Sequence, residues 1–261
     1  MSTSVAPLRR IVPSRDRVQT SALARETSSQ HVSWTIWAGV IAVTSASIGG
    51  AWDVSWHRSI GRDSFLTPAH IAIYACGVIA AVVCGYLIFA TTFGSSQRMK
   101  DVSVHVLGFR APLGAFLAAW GGIAMLTSAP FDNWWHAAYG LDVKIISPPH
   151  TLLILGIRMV GVGTLFLIVA AMNRAKAREA AGEIAPERTA LQALFLYLGG
   201  LFVVGQMFFL LEQTWDVRLH SASAYITVAV AIPIVFALLS QTSGVRWAST
   251  CLLYTSPSPR D

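Results

Sequence analysis

The sequence predicts an all-α protein, a polytopic membrane helix bundle with at least six transmembrane helices built as repeated two-helix hairpins. Three observations predict it. The 261 residues are 54% hydrophobic and 12% charged, with a mean hydropathy of +0.56, whereas soluble domains carry about 25% charged residues. Six apolar runs, at about 33–52, 69–93, 105–128, 150–173, 189–211 and 222–241, each approach the ~20 residues that cross a bilayer. One polar pattern, finally, occurs twice between those runs.

Taken in order, residues 1–30 are rich in Ser, Thr, Arg and Pro. They lack the apolar stretch of about 7–15 residues that a secretory signal needs, and read as a disordered basic cytoplasmic tail. Residues 31–245 form the transmembrane domain, divided into three hairpins at 31–100, 101–185 and 186–245. Residues 246–261 return to the cytoplasm. Within them, 250–261 resembles translated sequencing adapter and is expected to be a non-native tail.

The repeated pattern sits at the turn of the first two hairpins. Asp53, His57, Gly61, Asp63 and His70 align with Asp132, His136, Gly140, Asp142 and His150 at an offset of 79 residues, which becomes 80 at the last histidine. Thr67-Pro68 and Ser147-Pro148 precede the second histidines. Thr and Ser are good N-caps and Pro favours the first helical position, so His70 and His150 fall in the first turns of new helices. Asp53 and His57, at i and i+4, share one face if the preceding helix runs that far. A degenerate third copy, Trp215-Asp216-Val217 with His220, lies in the third hairpin, and Glu212 stands one turn before Asp216.

Orientation follows from the basic residues. Arg9, Arg10, Arg15, Arg17 and Arg25, then Arg98, Lys100 and Arg110, then Arg174, Lys176, Arg178 and Arg188, and finally Arg246 all fall on one side of a six-span chain. The positive-inside bias makes that side cytoplasmic. The N-terminus is then cytoplasmic in a bacterial-type inner (plasma) membrane, and the motif loops are periplasmic or extracellular. The net charge of +6 is a topology signal and calls for no nucleic-acid partner. The partners expected are the lipid bilayer and other membrane subunits or further copies of the chain.

Other residues have plainer readings. Cys76, Cys84 and Cys251 form no C-x-x-C and no paired framework, and read as small buried hydrophobes. Trp52, Trp56, Trp134, Trp135 and Trp215 fit an aromatic belt at headgroup depth. Gly49, Gly50, Gly77, Gly85, Gly121, Gly122, Gly161 and Gly163 fit close helix approach. His31 and His105 read as interfacial residues, and ionisable groups are expected only near helix ends.

Each full copy of the pattern brings together one carboxylate and two imidazoles: Asp53, His57 and His70, or Asp132, His136 and His150. That donor set suits zinc, Cu(II) or non-haem iron. Asp63 and Asp142 are placed to orient a ligating histidine through its far ring nitrogen, although Arg62 offers Asp63 an ion pair instead. Glu212, Asp216 and His220 are accessory candidates. The competing readings are an Asp–His helix end that holds no ion and a proton or substrate relay. Haem has little support, since no C-x-x-C-H occurs.

Asp53, His57 and His70, with Arg62, Asp63, Thr67 and Pro68 around them, resemble a metal-binding motif of the copper membrane monooxygenases, the particulate methane and ammonia monooxygenase group. The motif belongs to an all-helical membrane subunit of that family. The resemblance covers about 20 residues of this chain. It implies an integral subunit holding copper through Asp53, His57 and His70, within a complex whose activity involves separate subunits. The sequence thus points to a membrane metal-binding protein, copper first and zinc or non-haem iron as alternatives. It would serve as a subunit of an oxidative or monooxygenase-like complex. The alternatives are a metal-ion or proton transporter or channel subunit, and a non-catalytic membrane scaffold.

Overall fold

The long helices begin where a cap or a proline stands. The computed structural model describes residues 31–60, 64–140, 147–215 and 222–255. The Ser33 side chain accepts from the Thr35 amide and opens α1 (Trp34–Ser59). Thr67, followed by Pro68, opens α2 (Pro68–Phe93). A short helix, α3 (Gln97–Asp101), leads into a hairpin of β1 (Val104–Val106) and β2 (Phe109–Ala111), antiparallel with His105 opposite Arg110. Pro112 then precedes α4 (Leu113–Tyr139), and Ser147 caps α5 (Pro148–Ala180). The chain continues through α6 (Glu187–Trp215), α7 (Ala222–Ser243) and α8 (Ala248–Thr255).

This is a helical membrane bundle that carries one short β-hairpin. Among the described residues, five helical stretches are long and apolar enough to cross a bilayer: Trp34–His57, Pro68–Phe93, Leu113–Tyr139, Pro148–Ala180 and Glu187–Gln206. The sixth predicted run falls in α7, whose apolar part, Ala229–Ser243, is shorter. The third run is displaced from its predicted place at 105–128. Leu107 and Gly108, both at positive φ (50° and 86°), make a tight turn that folds 104–111 into the hairpin instead. The helix therefore starts at Leu113 and runs on through Pro130 to Tyr139, which places Asp132 and His136 on the helix itself.

Helices α1, α2, α4 and α5 pack around one core, with α6 set against α5 and α1. Between apolar helices, close backbone approach does the work that water-driven burial does in soluble proteins. Gly121 on α4 faces Gly156 on α5, and seven residues away along each helix Gly114 faces Gly163. Met125, fully buried, lies between Gly77 of α2 and Gly156 of α5. Gly49 and Gly122 make similar approaches, whereas Gly50, Gly85 and Gly161 face open space and are not packing glycines. Cys76 and Cys84 are buried as expected, but Cys251 is exposed.

These contacts set the depth of the motif residues. Gly77, seven residues after His70, meets Met125, seven residues before Asp132. Gly39, fourteen before Asp53, meets Thr164, fourteen after His150. Both motif clusters therefore lie at the same end of the bundle and at matching depth. At the opposite end, Arg178 and Glu179 of α5 pair crosswise with Glu187 and Arg188 of α6.

Candidate metal centres

The first cluster forms where α1 ends and α2 begins. Helix α1 continues past Asp53 to Ser59, so Asp53 and His57 stand on one face, with His57 Nε2 3.7 Å from Asp53 Oδ1. On α2, the Thr67 hydroxyl accepts from the His70 amide at 3.3 Å. This fixes the first turn and sends the imidazole toward α1, its Nε2 3.2 Å from the same Asp53 Oδ1. The second cluster repeats the arrangement on α4 and α5. His136 Nε2 is 3.4 Å from Asp132 Oδ2, His150 Nε2 is 3.3 Å from Asp132 Oδ1, and the Ser147 hydroxyl accepts from the His150 amide at 3.4 Å. The opposite runs of the paired helices help, because side chains tilt toward the N-terminus of their own helix and so lean toward each other across a hairpin.

In both clusters the ligating atoms lie within 4.8 Å of one another. Ligands about 2.1 Å from a tetrahedral ion stand about 3.4 Å apart, which matches the observed separations. Neutral imidazoles beside an empty site give a poorer account of the same contacts. His70 Nδ1 lies 3.2 Å from the Ser64 carbonyl oxygen, and His136 Nδ1 lies 3.3 Å from that of Gly140. A carbonyl only accepts, so each Nδ1 carries the hydrogen. In a neutral ring Nε2 is then a lone pair, directed at a carboxylate oxygen that is also an acceptor. Asp53 Oδ1 and Asp132 Oδ1 are buried, and neither makes a hydrogen bond of proper geometry among the described residues. A cation shared by the three atoms satisfies all of them at once, as does a second proton on each ring. Nδ1 donation to a backbone carbonyl is also how metal-binding histidines are commonly oriented.

Of the accessory residues read from the sequence, Asp63, Asp142, Asp216 and His220 lie outside the described residues, as does the side chain of Glu212 on α6. The structure adds groups the motif did not name. Ser64 and Gly140 supply the orienting carbonyls. The Tyr74 ring sits 5.8 Å from that of His70. Trp56 Nε1 is buried with no hydrogen-bond partner among the described residues. Around the second cluster, Trp135 packs on Tyr139 at 4.5 Å and on Phe131, while Trp52 and Trp134 are exposed in the manner of a belt. His105 is held by Arg110, whose Nε donates to it at 2.6 Å.

One expectation fails. The sequence reading confines ionisable groups to helix ends, yet Arg158 stands well inside the Pro148–Ala180 span. Its Nη1 donates to the Phe202 carbonyl of α6 at 3.0 Å and its guanidinium lies 4.7 Å from the Phe202 ring centre. The signal is a single arginine between Ile157 and Met159 in the apolar run.

No protein-family model, no curated protein and no solved structure matches the chain.

Proposed function

We propose that the protein is an integral membrane metal-binding protein, with copper as its ion, that serves as a subunit of an oxidative, monooxygenase-like membrane complex. The observation that carries the metal is the facing of acceptor against acceptor, Asp53 with His70 and Asp132 with His136, in two tripods of coordination size. Asp53, His57 and His70 would hold one ion, and Asp132, His136 and His150 a second. Two imidazoles and a carboxylate also accept zinc or non-haem iron. Copper is favoured by the likeness of Asp53, His57 and His70 to the motif of the copper membrane monooxygenases. Held by these three donors, copper would supply redox chemistry at the site. The chain's own residues hold the donors in place: Thr67 and Ser147 fix the helix starts, and Ser64 and Gly140 fix the rings.

In this reading the clusters face the periplasm or exterior and the crossed Arg–Glu pairs face the cytoplasm, in keeping with the positive-inside pattern. The deciding measurement is elemental analysis of the detergent-purified protein beside a His57→Ala/His136→Ala double variant, after matched copper and zinc loading. Two ions per chain in the parent and none in the folded double variant are expected. Equal, near-zero metal in both would overturn the proposal.

A further inference from the structure

The β1–β2 hairpin has two unlike faces. Side chains alternate along a strand, so the paired Val106 and Phe109 share one face and the paired His105 and Arg110 the other. The apolar face roofs a groove of about 340 Å³ walled by α2 and α4. Gly122 brings those helices together at Gly77 and Ala81, and the groove lies between that contact and the hairpin. On α2 its wall runs from Ala81 to Phe89, about 12 Å at 1.5 Å per residue. That is most of one leaflet of a hydrocarbon core about 30 Å thick. Phe89, Trp120 and Ile123 line the groove and are more than half exposed, as is Leu107 at the hairpin tip. The groove therefore opens on the outer surface of the bundle, where a membrane-spanning chain meets lipid. Gly85 also lines it, and a Cβ there would meet no protein atom.

The opposite face of the hairpin carries charge. Arg110 Nε donates to His105 Nε2 at 2.6 Å, and the other guanidinium hydrogens remain for further acceptors. No carboxylate pairs with Arg110 among the described residues. Helix α3, which carries Lys100, packs against β2 and adds a second cation to this end of the bundle. We infer that the groove binds an anionic phospholipid, with one acyl chain lying between α2 and α4 beneath the hairpin and the phosphate at the Arg110 guanidinium. An amphipathic element at a membrane interface turns its apolar face to the acyl chains and its cationic face to the headgroups. Arginine presents a planar fork of donors that matches phosphate oxygens. The lipid site is independent of the metal centres, which lie at the other end of the bundle.

The test adds phosphatidylglycerol, or phosphatidylcholine with the same chains, to the full chain in detergent and counts bound lipid by native mass spectrometry. One tightly held phosphatidylglycerol per chain is expected, preferred roughly fivefold over phosphatidylcholine. Arg110→Gln should abolish that preference. Gly85→Phe, which fills the groove, should lose the lipid, while Gly85→Ala should keep it. At one lipid per chain, phosphatidylglycerol brominated along its chains should quench the parent more than Trp120→Phe, which places the chain beside Trp120. Equal affinity of the parent for the two lipids would overturn the inference, and that comparison needs no variant. So would a Gly85→Phe protein that binds as the parent does, or equal quenching of the parent and Trp120→Phe. A lipid-free dimer in the mass spectrum would put a second copy of the chain over the groove and overturn it as well.

Discussion

Gly121 and Gly156 meet backbone to backbone across α4 and α5, so that a Cβ on Gly121 would stand 2.6 Å from the Gly156 carbonyl oxygen. This approach brings the helix carrying Asp132 against the helix carrying His150. A Gly121→Val substitution must therefore push the helices apart, at a cost of about 1–3 kcal/mol for overpacking. Thermal unfolding in detergent should show a lower midpoint. Metal analysis should show one ion per chain, kept at the first centre and lost from the second.

The carboxylates can be tested through stability with opposite signs for folding and binding. Asp53→Asn places an amide donor before the His70 Nε2 lone pair, turning an acceptor–acceptor contact into a hydrogen bond worth about 1 kcal/mol. The metal-free variant should melt higher than the metal-free parent and bind no ion at the first centre. Asp132→Asn should do the same at the second. A lower midpoint in both variants would identify imidazolium–carboxylate pairs in their place.

The caps make a smaller and more local prediction. Thr67→Ala and Ser147→Ala each remove the hydroxyl that receives a histidine amide, which costs about 1 kcal/mol. Each should weaken Co(II) binding at its own centre and leave the other unchanged. Thr67→Ser should restore the parent behaviour in the same titration.

Glycines that pack and glycines that do not should separate cleanly. Gly50, Gly85 and Gly161 have open space where a Cβ would go, so alanine there should be neutral or stabilising by about 0.5–1 kcal/mol through better helix propensity. Melting curves of the three alanine variants, set beside that of Gly121→Val, read the contrast directly.

Much of the site is legible in the sequence because its chemistry is local. Asp53 and His57 are one helical turn apart, and Thr67-Pro68 states where His70 begins a helix. A spacing that recurs 79 residues later carries the same information twice. What the sequence hides depends on contacts between distant segments. The hairpin at 104–111 reads as the start of a membrane helix because apolar residues outnumber His105 and Arg110 there, and only the positive φ of Leu107 and Gly108 reveals the turn. A run of glycines cannot show which of them faces a neighbour, so Gly161 and Gly163 look equivalent although only Gly163 meets α4. Arg158 escapes notice because a single charge scarcely lowers the hydropathy of a long run, and its partner, a backbone carbonyl 44 residues away, has no sequence signature.

The crossed pairs Arg178–Glu187 and Arg188–Glu179 have a mechanical consequence. If α6 slipped one turn along α5, about 5.4 Å, both pairs would break at one end while Arg158 was dragged off the Phe202 carbonyl farther along. Fastened at two separated points, the two helices behave as one stiff lever. A push on the outer end of α6 is then carried to the α5 side of the second tripod as rotation of the whole lever, with no sliding to absorb it.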